Sequence, residues 1–166
     1  CTNSNIRSLP VTASVAAPLA AYVGTDQIIC AGSSTSLDGF VIGGTSPYTY
    51  SWSPATDLNN ANIINPVANP TVTTNYTLTI TDDENNQSSA VLMLTVNALP
   101  TITISPNITI CKGLVGYLIA GGGTDYEWAP AASLDQDLGS DVIASPEITT
   151  TYTVTGSDGT CNNLAS

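Results

Sequence analysis

Single isoleucine, valine, leucine and tyrosine residues alternate with threonine and serine over long stretches of this chain. The clearest cases are "TTNYTLTITD" (73–82) and "TTTYTVTGSD" (149–158). A period of two sends successive side chains to opposite faces of a strand, so each stretch predicts a strand with one apolar face. Shorter runs of the same kind are "TITIS" (101–105), "ITI" (108–110), "VGYLIA" (115–120), "DYEWA" (125–129) and "DVIASP" (141–146). Turn signals separate them: Gly121–Gly123, Pro130, and "SDGT" (157–160), whose Asp-Gly supplies the positive φ of a tight turn. No stretch carries the period of an amphipathic helix, and none is apolar for long enough to span a membrane as a helix.

The pattern is written twice. "YSWSPATDL" (50–58) returns as "YEWAPAASL" (126–134), and "NPTVTTNYTLTITD" (69–82) as "SPEITTTYTVTGSD" (145–158), both 76 positions later. "IICAG" (28–32) returns as "TICKG" (109–113), 81 positions later, so the first copy carries five more residues in a loop around Gly43, Gly44 and Pro47. A fixed long period marks a repeated structural unit. Seven or so short strands per unit, parted by Gly and Pro turns, predict a β-sandwich of immunoglobulin type. The expected fold is all-β, with two such sandwiches in a linear repeat array. Trp52 and Trp128 fall in the third strand and Tyr76 and Tyr152 in the sixth, all four as core residues. The Trp residues also invite a sugar-platform reading, but strand alternation favours packing.

Repeat one, expected over 22–99, runs through "SSAVLMLTVNALP" (88–100) as a last strand and linker. Repeat two, expected over 100–166, reaches its turn and then reads "CNNLAS", without a comparable strand. Residues 1–21 contain the alternating "LPVTASVA" (9–16), which looks like the last strand of a preceding repeat, or a donor strand, plus a linker. A sandwich short of one strand has an open edge. It is completed by more chain or by strand addition from another copy.

The motifs "TICKG", "YxWxPAxxL" and "PxxTTxYTxTxxD" resemble the PKD-like and immunoglobulin-like tandem repeats of bacterial cell-surface and secreted proteins, including adhesins of gliding bacteria with type IX secretion. The likeness covers nearly the whole chain, twice. It implies an extracellular, cell-surface setting and a spacer role, with neighbouring repeats as partners and no cofactor. Asn85 stands in repeat one where Cys161 stands in repeat two, which leaves Cys30 without a partner in its own repeat.

Composition narrows the field further. Two basic residues against 13 acidic ones give a net charge of −11, which argues against nucleic acid, whose phosphates need clustered Lys and Arg. Four cysteines without CxxC spacing point to an oxidising compartment rather than to zinc. Cys161 is expected in a disulfide, with Cys111 or Cys30 as partner. Position within the repeat suggests Cys111. Against it, the turns carrying Cys111 and Cys161 belong at opposite ends of a sandwich, farther apart than a disulfide spans. Both pairings stay open.

Catalytic chemistry finds little here. With no His, imidazole-based triads and imidazole metal ligands are absent. The Gly runs lack the Lys and helix of a phosphate cradle. Asp82, Asp83 and Glu84 crowd one turn and are weak calcium candidates, as carboxylates without a calcium-loop pattern. Asn75, Asn86 and Asn107 lie in N-x-Ser/Thr sequons. The expected function is a non-catalytic structural segment of an extracellular adhesin or filament. The alternatives are a filament subunit joined by strand donation, a lipoprotein anchored through Cys1, and a carbohydrate-binding accessory module. A glycan or protein target is not specified by any motif.

Overall fold

The computed structural model describes residues 17–166, so the expected strand over residues 1–15 lies outside the described residues. The first repeat supplies β1 (Ala20–Val23), β2 (Gln27–Cys30), β3 (Thr35–Ser36), β4 (Gly39–Ile42), β5 (Thr49–Ser53), β6 (Val67–Ala68), β7 (Thr74–Thr81) and β8 (Gln87–Asn97). The second supplies β9 (Thr103–Ile104), β10 (Gly116–Gly121), β11 (Asp125–Ala129), β12 (Asp141–Ala144), β13 (Thr153–Ser157) and β14 (Asn162–Ala165), with a 3-10 turn at Ala131–Ser133.

The two repeats build the same sheets from these strands. In the first, β1 pairs with β4 and β3 with β6, while β2, β8, β7 and β5 follow one another in a second sheet. In the second, β9, β10 and β12 form one sheet and β14, β13 and β11 the other. The registers hold the spacing seen in the sequence. Val23 lies opposite Gly39 and Ile104 opposite Ala120, at a shift of 81. Trp52 lies opposite Leu78 and Trp128 opposite Val154, at a shift of 76.

By contacts, the described chain divides into two compact units. The first holds the residues up to Thr25, Ser36–Ala68 and Asn75–Met93; the second holds Asp26–Thr35, Asn69–Thr74 and Leu94–Ser166. Trp52, Tyr76, Leu78, Ile80 and Leu92 are fully buried in the first unit, and Leu94 in the second. The second unit's core is Ala120, Tyr126, Trp128, Val142 and Val154, with Ile102, Leu118, Leu134 and Tyr152 against it. Each such side chain withdrawn from water contributes roughly 1.5–3 kcal/mol. Gly122 joins β10 to β11 with φ +88°, and a Cβ there would run into the Thr101 carbonyl.

Two predicted strands are shorter or missing. "ITI" (108–110) forms no strand, and the stretch beginning at Thr149 becomes regular only at Thr153. The cause is common to both. In the first repeat β2 lies parallel to the end of β8, Gln27 opposite Leu94 and Cys30 opposite Asn97. In the second, the pairing of β13 with β14 starts at Val154 with Ala165, and among the described residues no strand pairs with 149–152 or with 108–111.

Candidate functional site

The duplicated nonapeptide is a device for seating an indole. In each repeat the Trp enters from a strand, β5 or β11, and the chain passes a cis peptide before Pro54 or Pro130. The loop then returns beneath the ring. Backbone N–H of Trp52 donates to Ala61 O, and that of Trp128 to Asp137 O. The indole N–H of Trp52 donates to Ile63 O at 3.1 Å, and that of Trp128 to Gly139 O at 2.9 Å. Asn59 Oδ1 accepts the Val67 N–H at 2.8 Å, and Asp135 Oδ1 accepts the Ile143 N–H at 2.7 Å. Every one of these pairs shifts by 76. Trp52 is 1 % exposed and Trp128 3 %, so neither indole offers a flat face to a sugar.

The acidic turn is likewise occupied with backbone. Asp82 accepts N–H groups of Thr45 at 3.1 Å, Glu84 at 3.0 Å and Asn86 at 2.9 Å, and the Asn86 side-chain amide at 3.1 Å. Burial works to raise its pKa, but hydrogen bonds from Asn86, Thr45 and Glu84 outweigh it and hold the carboxyl below its ordinary value. Its counterpart Asp158 accepts from Cys161 at 2.8 Å and Thr160 at 2.9 Å, and those bonds depress its pKa as well. Asp83 and Glu84 are exposed. Among the described residues no group of three metal-ligating side chains gathers. The closing bond, Asp82 N–H to Asn86 O or Asp158 N–H to Cys161 O, places Cys161 at the position of Asn86 rather than Asn85.

Cys161 pairs with Cys30, Cα to Cα 5.7 Å, both in the second unit. The in-repeat pairing with Cys111 is not formed, and Cys111 is an exposed free thiol. The two halves of that alternative sit on different turns, which is the geometric objection raised from the sequence.

The core tyrosines differ. Tyr76 is fully buried, and its hydroxyl finds no hydrogen-bond partner among the described residues. Burial, and then the charge of Asp57, push its pKa up. Tyr152 is only half-buried, a correction to its expected core position, and shares a short hydrogen bond with Ser133. Ser133 and Asp57 are equivalent positions.

Tyr152 is half-buried because it lines an open groove of about 970 Å³ in the second unit. Trp128, Leu118, Ile108, Ile110 and Ile148 line it with Tyr152. Ile148 is 79 % exposed and Ile108 47 %. In the first repeat β8 runs on to Asn97, with Leu92 and Leu94 fully buried. The second repeat was expected to lack its last strand, but Asn162–Ala165 forms β14 and pairs with β13. An exposed aromatic pair was not expected: Tyr22 on β1 and Phe40 on β4 stack with centroids 4.9 Å apart and planes 8° apart. Their signal is visible only once the strands pair, because the two residues are far apart in sequence.

No protein-family model matches the chain, and no curated protein sequence matches it. Solved structures do resemble it. The N-terminal eight Ig domains of Down Syndrome Cell Adhesion Molecule match at TM-score 0.50 and 14 % identity, over 87 % of this chain and 23 % of that one. The Ig1 and Ig2 domains of DIP-gamma match at TM-score 0.39 and 11 % identity, over 87 % of this chain and 94 % of that one. The insect immune protein hemolin matches at TM-score 0.43 and 15 % identity, over 86 % and 44 %. The chain thus spans less than half of hemolin and under a quarter of the eight-domain structure. At such identities the likeness concerns fold alone. The fold is all-β, a tandem of immunoglobulin-like sandwiches. A disulfide within such domains is typical of extracellular proteins. Among the described residues no helix is long and apolar enough to cross a membrane.

Proposed function

We propose that this chain is a non-catalytic structural segment of an extracellular bacterial surface adhesin or filament, with repeats spanning 22–99 and 100–166 and neighbouring repeats as its partners. The observation that carries this reading is the hydrogen-bond frame around Trp52 and Trp128, repeated atom for atom at a shift of 76. The residues that recur hold strands and turns together. Asp82, the calcium candidate that is buried, accepts backbone N–H groups instead, and Asp135 accepts one in the Trp128 loop. A net charge of −11 on each copy keeps parallel arrays apart. Immunogold electron microscopy of intact source cells, with antibody raised against the chain, tests the reading. Gold on the outer surface or on extracellular fibres supports it; gold confined to the cytoplasm overturns it.

A second reading rests on the stacked Tyr22–Phe40 pair, 43 % and 48 % exposed, with Ile42 52 % exposed beside it on β4. Exposed aromatic faces suit sugar rings or an apolar partner surface. On this reading the first unit also docks a glycan or protein target. Loss of glycan-array or cell binding in Tyr22→Ala, with an unchanged unfolding midpoint, is the expected mark.

A further inference from the structure

We propose that the outward face of β1 and β4 binds a neutral hexose chain, with a sugar ring stacked on Tyr22 and its hydroxyls donating to Asp38. The inference rests on the second reading above, and it names the chemical class of the target.

The face is a short row of paired residues. Ile42 lies opposite Ala20 and Phe40 opposite Tyr22. The ladder runs one step beyond the strands, since Gly24 N–H donates to Asp38 O at 2.8 Å. Strand alternation puts Asp38, Phe40 and Ile42 on one face, and all three are exposed. Phe40 stacks on one face of the Tyr22 ring. Among the described residues no further strand pairs with β1, so the other face of that ring has no strand neighbour. Gly24 carries no side chain, and a Cβ there would stand 3.6 Å from the Asp38 Cβ. The way from the open face of Tyr22 to the Asp38 carboxylate therefore runs clear over Gly24. Among the described residues that carboxylate takes no hydrogen bond, unlike those of Asp82, Asp135 and Asp158.

The second repeat shows that the frame does not need these side chains. At a shift of 81, Tyr22, Phe40, Gly24 and Asp38 become Thr103, Gly121, Ser105 and Ile119. The backbone pairing is the same: Thr103 lies opposite Gly121, and Ser105 N–H donates to Ile119 O at 2.8 Å. The aromatic stack and the carboxylate are thus additions to a scaffold that holds without them. Their chemistry suits a sugar. The ring C–H groups of a pyranose make an apolar face that packs on an aromatic ring, and its hydroxyls are donors for a carboxylate. The described part of the first unit contains no Lys or Arg, since Lys112 lies in the second, so an anionic glycan would meet Asp38 and no countercharge. With Tyr22 43 % and Phe40 48 % exposed, the two rings leave roughly 200 Å² in water, at 150–250 Å² per aromatic side chain. A specific protein interface takes about 800 Å² per partner. The face matches a sugar chain in size and falls well short of a protein surface.

The test is native electrophoresis of the full chain through gels cast with a soluble polysaccharide, read against a plain gel and a non-binding reference protein. Hydroxyethyl cellulose, galactan and galactomannan are the neutral probes, alginate and dextran sulfate the anionic ones. At least one neutral gel should retard the chain, and neither anionic gel should. Tyr22→Thr, which takes the residue of the second repeat, should abolish the retardation. Asp38→Ala should weaken apparent affinity roughly tenfold, the loss expected when a charged acceptor leaves a hydrogen bond. Both variants should keep the parent's unfolding midpoint. If Tyr22→Thr does not, Asp38→Ala decides alone, since that side chain is exposed and bonds nothing among the described residues. Three outcomes overturn the proposal: no retardation in any neutral gel, retardation in the anionic gels, or undiminished retardation in a folded variant. Binding to whole cells separates the broader reading. If Tyr22→Thr loses cell binding while the neutral gels retard nothing, the sugar is wrong and a protein target replaces it. If Tyr22→Thr binds cells as the parent does and no gel retards the parent, the aromatic pair is not a docking site at all.

Discussion

The indole nitrogen of Trp128 donates to the carbonyl oxygen of Gly139, eleven residues further on, and Trp52 stands in the same relation to Ile63. The nonapeptide recurs because this bond needs all of it. The strand aims the ring inward, the Pro-Ala turn reverses the chain, and Leu58 or Leu134 bridges to Ala68 or Ala144 across the loop. Trp128→Ala should therefore cost roughly 3–5 kcal/mol, from cavity and lost transfer together. Trp128→Phe should cost less but leave the Gly139 carbonyl unsatisfied, at about 1–3 kcal/mol. Urea unfolding followed by far-UV circular dichroism reads both. A Trp128→Ala variant within 1 kcal/mol of the parent, on the scale that buried aromatics set, contradicts the seating role.

Much of this was legible in the sequence because a repeat supplies its own comparison. Spacing alone placed Trp52 and Trp128 in equivalent strands, and alternation alone assigned β7 and β13. What stayed hidden depends on pairing between distant strands. "ITI" (108–110) has good strand propensity, yet forms none without a neighbour to bond. Tyr22 and Phe40 meet only because β1 and β4 pair. The partner of Cys161 followed from where two turns lie in space, which spacing along the chain does not encode. Asp82 looked like a ligand because carboxylates clustered; the backbone N–H groups that claim it are invisible in a string of letters.

Tyr76 and Tyr152 predict opposite responses to the same substitution. The buried Tyr76 hydroxyl has no partner among the described residues, whereas the Tyr152 hydroxyl bonds Ser133. A buried polar group without a partner costs about 1–3 kcal/mol, and a satisfied one contributes about 1 kcal/mol. Tyr76→Phe should raise stability by about 1 kcal/mol, and Tyr152→Phe should lower it by a similar amount. Paired urea titrations decide. Equal shifts of the same sign in both variants refute the assignment.

Acid should loosen the fold in a defined direction. The Asp82 and Asp158 carboxyls are held below the ordinary 3.8. A depressed folded pKa means that the folded chain favours the ionised form. The stabilisation is fully present above the unfolded value and is lost as pH falls through the folded values, below about pH 4. Protonating the other acidic residues relieves the repulsion behind the −11 net charge and acts the opposite way. The informative quantity is thus a difference between variants. Melting temperature should fall less steeply from pH 5 to pH 2.5 in Asp82→Asn than in the parent. Parallel curves argue against a proton-linked role for that turn.

The last prediction concerns the covalent link. Cys30 and Cys161 are 131 residues apart in sequence and close one loop of that length. In the chain-entropy view a longer loop restricts the unfolded ensemble more, and removing a native disulfide costs roughly 2–5 kcal/mol. Cys161 is 1 % exposed, so its loss also leaves a buried position to be refilled, and Cys161→Ser places a hydroxyl there. Cys161→Ala is the cleaner variant, because it adds no polar group. It should lower the unfolding free energy by roughly 2–5 kcal/mol, with Cys30→Ala nearly the same and the double variant little worse than either. Cys111→Ser should leave the midpoint unchanged, since that thiol is exposed and unpaired. Non-reduced peptide mapping provides the direct check. It should yield one peptide pair joining Cys30 to Cys161, and iodoacetamide should label Cys111 in the folded chain. A recovered Cys111–Cys161 pair, or additive losses in the Cys30 and Cys161 variants, would mean that the two sulfurs do not act as one bond.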